Sequence, residues 1–352
     1  MLIKNISALL GPELNFTQST NIQIQKNIFK RIQSNIKPSG KEETIDCEGL
    51  LLIPGFINAH THIADSIGKD VTLNSSVDKR IHPVFGAKSK ILKNTSHENL
   101  ANFMKNTCHS MIQKGITTFV DFREGGTDGV LLLKKVLSDV PIRSIILGRI
   151  EFYNDTAEIR KNLPFPKEKI AELTTLLQKS DGIGISGANE NSTSVLNHYS
   201  KTTKLRVIHS SETKQSVSKS KKITGKSETI RSLFLKPHFL IHMTHASKGD
   251  LFATAKKTRG IVICPRANAS LAEGIPDIEL MQKAGCTLAL GTDNVMINSP
   301  DMFREMDFLW KVTMGLHKKR ISPKEILKMA TVNGGKILKK NIGVIGTGKI
   351  AD

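Results

Sequence analysis

The sequence predicts an α/β protein: a (β/α)8 barrel carrying a small β appendage at its N-terminus. Three observations predict it. The 352 residues suffice for one barrel of roughly 250 residues plus an appendage. Eight short apolar runs, each ending in polar residues, alternate with helical patterns. Ahead of them lies a stretch with β character only.

That first stretch covers residues 1–53. Leu2–Leu10, Asn21–Ile32 and Thr44–Ile53 carry alternating or β-branched apolar residues, separated by Gly, Pro, Asn and Ser. The barrel is expected over 54–340. Its strands are read at Leu51–His62, Ile116–Glu124, Pro141–Glu151, Gly182–Asn189, Leu205–Glu212, Phe239–His245, Gly260–Asn268 and Cys286–Asn294. Near-continuous apolar character marks them as strands buried on both faces. The first helical spacer opens at Thr95-Ser96-His97-Glu98, which has capping-box form. Leu100, Phe103, Met104, Cys108, Met111 and Ile112 then share one helical face, and Gly115 ends the helix. The connection Ile63–Asn94 is long, as loops serving an active face tend to be.

Composition narrows the function classes. Hydrophobic residues at 39% support a real core. No apolar run approaches the roughly 20 residues of a membrane helix, and Met1–Leu10 lacks the apolar stretch of a signal peptide. Cys47, Cys108, Cys264 and Cys286 are scattered without a CxxC pair, so a reduced, cytoplasmic protein is expected. The net charge of +19 comes mostly from Lys spread along the chain with few aromatics beside it. Nucleic acid is therefore disfavoured as a partner, and Lys214–Lys226 reads as a solvated face. A small-molecule substrate is expected, and a homo-oligomer stays open.

The chemistry lies at strand ends. Strand one ends His60-Thr61-His62, strand five His209-Ser210-Ser211-Glu212, strand six His242-Met243-Thr244-His245, and strand eight Gly291-Thr292-Asp293-Asn294. In a barrel these ends meet on one face. His60 and His62, two apart, point to the same side of their strand. Three histidines and a carboxylate suit zinc or iron with a position left for water. His82, His97, His109, His198, His238 and His317 fall in helices or loops and read as surface or core residues. Arg123 and Glu124, Arg149 and Glu151, and Arg266 and Asn268 sit at other strand ends. They read either as contacts to an anionic substrate or as structural ion pairs.

Other motifs fail on context. Gly182-x-Gly184-x-x-Gly187 lies within a strand and lacks the acidic residue of a dinucleotide site. Gly343–Lys349 ends in Ile350 where a phosphate loop needs Ser or Thr. The HxE and PCxxC pair of nucleobase-editing deaminases and the GxSxG elbow are absent.

Pro54-Gly55-Phe56-Ile57-Asn58-Ala59-His60-Thr61-His62 resembles the opening signature of the amidohydrolase superfamily. His209–Lys214 and Leu290–Asn294 resemble its branch of methylthioadenosine/S-adenosylhomocysteine, guanine and cytosine deaminases and chlorotriazine hydrolases. The resemblance spans nearly the whole chain and implies a small β-sandwich built from the N-terminal and C-terminal strands. It also implies one divalent metal, zinc first and iron second, held by His60, His62, His209 and Asp293. Glu212 would shuttle protons, His242 rather than His245 would stabilise developing charge, and Asp293 would orient the attacking water. The bridging Lys of binuclear members has no counterpart in Asp181–Asn189, and Ala64–Leu92 lacks the Trp and Pro-Leu elements of adenosine-type deaminases.

The implied function is metal-dependent hydrolysis of a non-peptide C–N bond, foremost deamination of an amino-substituted N-heterocycle. The alternatives are dehalogenation or cyclic amide hydrolysis in the same site, or an inactive barrel used for binding. The resemblance further implies that 341–352 starts C-terminal strands cut short by about 30 to 70 residues. The N-terminal strands are then expected to lack partners and to expose apolar side chains from Met1–Leu10 or Asn21–Ile32.

Overall fold

The computed structural model describes every residue except 41, 317 and 319, so His317 lies outside the described residues. The N-terminal appendage is a mixed sheet of β1 (Leu2–Leu10), β2 (Asn15–Gln25), β3 (Ile28–Gln33), β4 (Thr44–Asp46) and β5 (Leu51–Leu52). Its order is β3-β2-β1-β4, with β5 also paired to β1. The run expected over Asn21–Ile32 is a hairpin. Lys26 and Asn27 both take positive φ, 50° and 58°, the geometry of a two-residue turn that matches strand twist.

Ile6, Ala8, Ile22 and Phe29 bury one face of this sheet together with Ile345. The expected open edge is instead paired. Phe29 N–H donates to Lys349 O (2.9 Å), Gly348 N–H to Phe29 O (2.8 Å) and Gly11 N–H to Ile345 O (2.9 Å). In the segments expected to be bare, Met1 is the one large apolar side chain left exposed. The others that stand out from the sheet are Phe16, Ile45, Leu50 and Leu51.

The barrel strands are β6 (Phe56–His62), β7 (Ile116–Arg123), β8 (Arg143–Gly148), β9 (Gly182–Ile185), β10 (Leu205–Ser210), β11 (Phe239–His242), β12 (Ile261–Ile263), β13 (Leu288–Leu290) and β14 (Asp293–Asn294). All are parallel to their neighbours, in the order β13-β12-β11-β10-β9-β8-β7-β6-β14. The last barrel strand is therefore split at Gly291-Thr292. Its first half pairs with β12 and its second with β6, which closes the ring. Gly291 is required at the split, because a Cβ there would lie 2.8 Å from His60 Cβ.

Two apolar layers hold the barrel. Val120, Phe122, Ile145, Leu147, Val207 and Phe239 fill its interior. Phe119, Ile146, Ile208 and Leu240, on alternate positions, pack against the helices outside. Helix His97–Gln113 is capped one residue later than expected, with Ser96 Oγ accepting from Asn99 N–H (3.2 Å). Its buried face is Leu100, Met104, Cys108 and Met111, while Phe103 is exposed. Residues 265–268, expected in the seventh strand, form a helix, Pro265–Ser270. Pro265 at its first turn fixes φ and needs no N–H partner. Lys214–Lys226 is mostly a solvated helix, Lys214–Thr224, as expected. Among the described residues no helix is long and apolar enough to cross a membrane.

Candidate metal centre and cavity

The strand ends bring His60, His62, His209 and Asp293 together, with one donor atom from each within 4.8 Å of the others. All four are buried. His60 Nε2 lies 3.1 Å from Asp293 Oδ1 and 3.1 Å from His209 Nε2, and His62 Nε2 lies 3.6 Å from Asp293 Oδ1.

The hydrogen bonds fix two of the rings. His209 Nδ1 donates to Ile185 O (3.0 Å) and His62 Nδ1 donates to Glu124 Oε1 (2.8 Å). Each ring then presents an Nε2 lone pair toward the same point, beside the Asp293 carboxylate. Lone pairs and a carboxylate facing one another repel unless a cation lies between them. Two donors about 2.0–2.1 Å from a tetrahedral ion stand about 3.3–3.4 Å apart, close to the spacings seen. The donor set therefore fits a divalent ion, and zinc and iron both accept three imidazoles and a carboxylate.

Protonation agrees. Burial pushes the His60 imidazole down to about 3 and His209 well below its ordinary range, so both are neutral ligands. For Asp293, burial works upward, but the His60 hydrogen bond and the neighbouring imidazoles outweigh it and keep the carboxyl ionised. Asp293 (φ 60°), His242 (φ 69°) and Ser211 (φ 50°) all hold left-handed backbone. Such strain costs of order 1–3 kcal/mol per residue and gathers at functional sites.

A second group abuts the first. Glu212, His242 and Asp293 each place an atom within 4.8 Å of the others, and His242 Nε2 is 3.6 Å from Glu212 Oε2. Burial raises the Glu212 carboxyl above its ordinary value. Glu212 Oε1, His242 Nε2 and Asp293 Oδ2 are buried without a hydrogen-bond partner. His245 turns away and donates to Glu273 O (2.7 Å). Both groups open into a cavity of about 380 Å³, a volume suited to a small organic ligand.

The remaining candidates divide. Arg123 and Glu124 pair at 3.3 Å, and Glu124 also accepts from His62. Asn268 is fully buried, with Oδ1 3.4 Å from His242 Nδ1, and does not line the cavity. Arg149 and Glu151 do line it but do not pair with each other. Glu151 meets Lys93 (3.3 Å), and Arg149 stands 5.9 Å over the Tyr153 ring. Arg266 binds Glu305 (3.4 Å) away from the site. Lys88, His82, Glu190 and Glu228 also line the cavity. None was singled out in the sequence as a site residue. Only the length of the Ile63–Asn94 connection signalled the first two.

A Methanothermobacter thermautotrophicus protein is 36% identical over 360 residues, covering all of this chain and 90% of its own length. The 5-methylthioadenosine/S-adenosylhomocysteine deaminase of Thermoanaerobacter pseudethanolicus is 32% identical over 376 residues, covering all of this chain and 84% of its own. Among solved structures, the zinc complex of atrazine chlorohydrolase from Arthrobacter aurescens superposes with a TM-score of 0.85 at 16% identity, covering 100% and 86% of the two chains. The sequence profile of the amidohydrolase family matches residues 51–352, and the chain belongs to that family.

Proposed function

We propose that this protein is a mononuclear metal-dependent aminohydrolase that replaces the exocyclic amine of a nitrogen heterocycle with oxygen, consuming water and releasing ammonia. The observation that carries the reading is the protonable, half-buried Glu212 set beside a single His60–His62–His209–Asp293 donor set that opens into the cavity. A divalent ion on those four side chains supplies Lewis acidity sufficient to bring the pKa of water from 15.7 to about 7.

The chain's own residues do the rest. Glu212 takes one proton from the water and passes it to the ring nitrogen, then takes the remaining hydroxyl proton and passes it to the amine, so that the C–N bond breaks as the carbonyl forms and ammonia leaves. Its raised affinity for protons suits it to hold them between steps. Asp293 Oδ2, otherwise unpartnered, accepts a hydrogen bond from the attacking water and fixes its direction. His242 faces charge developing on the attacking oxygen. Arg149 on the cavity wall suits a carboxylate or phosphate on the distal part of the substrate.

Aminopurine nucleosides are the first class to test, since relatives named 5-methylthioadenosine/S-adenosylhomocysteine deaminases are 30% and 32% identical. Zinc-loaded protein is assayed for ammonia release from adenine, adenosine, 5-methylthioadenosine, S-adenosylhomocysteine, guanine and cytosine. Release from at least one is expected. Stoichiometric zinc with no ammonia from any, or chloride release from a chlorotriazine instead, would overturn the reading.

A further inference from the structure

One buried cation links the long connection after β6 to the metal centre. Lys88, on helix Ala87–Asn94, is 6% exposed. Its Nζ stands 2.6 Å from Glu124 Oε1 and 3.3 Å from Asp65 Oδ2, whereas Lys90 is merely exposed. Glu124 is the acceptor that fixes the His62 ring. Asp65 accepts from Asn294 Nδ2 (2.7 Å) and from Met296 N–H (3.0 Å), so it holds the chain on the far side of Asp293. Of the two carboxylates that Lys88 neutralises, one orients His62 directly and the other holds Asn294 and Met296, which follow Asp293 in the chain.

We propose that Lys88 is a positioning residue that couples seating of helix Ala87–Asn94 over the cavity to retention of the divalent ion. The inference rests on the metal-centre reading and not on the choice of substrate. Two buried carboxylates without a cation between them repel and lose the contact that fixes their places. A displaced Glu124 would no longer accept from the His62 N–H, and that ring would lose its orientation. The coupling is reciprocal: whatever the seated helix adds to ion affinity, the bound ion returns as stability of the seated helix.

The test uses zinc alone on the full chain, with no substrate. Chelator competition measures zinc affinity of the wild type, Lys88→Met, Lys88→Arg and, as control, Lys90→Met. Hydrogen exchange over residues 87–94 is followed with and without zinc. Lys88→Met should bind zinc about 10- to 100-fold more weakly, the usual effect of losing a group behind a ligand. Lys88→Arg should recover part of that, and Lys90→Met should match the wild type. Zinc should slow exchange across 87–94 in the wild type and not in Lys88→Met. Wild-type zinc affinity in Lys88→Met, or exchange indifferent to zinc in the wild-type protein, would overturn the proposal. The wild-type exchange measurement decides even if Lys88→Met does not fold. Absence of ammonia release in the substrate assay would leave these outcomes untouched.

Discussion

Glu212 and Asp293 sit in one cluster yet should fail differently. Glu212 is outside the four-donor group of His60, His62, His209 and Asp293, so Glu212→Gln should lower kcat by about 10² to 10⁴ with zinc still bound, read by steady-state rates and metal analysis on the same sample. Asp293→Asn should lower both zinc content and rate, because that carboxylate is a donor and an acceptor at once. Equal zinc loss in the two variants would erase the distinction. The metal donors are legible in the sequence because strand periodicity of two puts His60 and His62 on one side, and barrel geometry gathers strand ends. Lys88 is not legible, since a lysine on a helix carries no local sign that its partners are Asp65 and Glu124, 23 and 36 positions away. Asn268 is expected at the end of the seventh strand, but the strand stops at Ile263 and the helix begun by Pro265 moves Asn268 behind His242.

The turn that carries Glu212 is held by a short helix, Glu228–Ser232. Glu228 Oε2 accepts from Ser211 N–H (2.9 Å) and from Ser216 Oγ–H (2.6 Å). Burial, more than any neighbour, pushes its carboxyl up to about 7. A group whose folded pKa exceeds its unfolded value contributes stability that is complete below the unfolded value and is lost as pH rises through the folded one. Here that window runs from about 4.5 to about 7. The melting temperature of Glu228→Gln, relative to wild type, should therefore climb between pH 5 and pH 8; a constant offset would show that Glu228 does not titrate there. The ends of β7 and β8 predict a contrast as well. Both arginines line the cavity, but Arg123 is buried and bound to Glu124, Asp121 and Met104, whereas Arg149 is half-buried and stands over the Tyr153 ring. Arg123→Ala should lower the melting temperature. Arg149→Ala should raise KM for an anionic substrate with the melting temperature nearly unchanged. The reverse pattern would exchange their roles. Strand existence was readable from apolar runs, but their ends were not: Arg149–Glu151 after β8, Ser186–Asn189 after β9 and Cys264–Asn268 after β12 lie beyond the last paired residues.

Across the whole molecule, the small sheet and the far end of the chain share one apolar cluster. Ile345, 1% exposed, packs with Ile6, Ala8, Ile22 and Phe29. Ile345→Ala should cost about 2 to 5 kcal/mol in denaturant unfolding, as buried large-to-small changes do. A loss below about 0.5 kcal/mol would mean that the tail merely lies on the sheet. The family resemblance implies that the two ends of the chain share this sheet, but nothing local ties Lys349 to Phe29 across more than three hundred residues. The split in the last barrel strand has a consequence measured in time. His60 and His62 leave the ribosome early, but Asp293 follows about 230 residues later, on the order of ten to fifty seconds at 5–20 residues per second. Until Asp293–Asn294 slots beside β6, the nascent chain offers histidines without their carboxylate and a ring without its seam. An ion held by all four side chains would therefore seal a finished barrel, after Asp293 has joined His60 and His62.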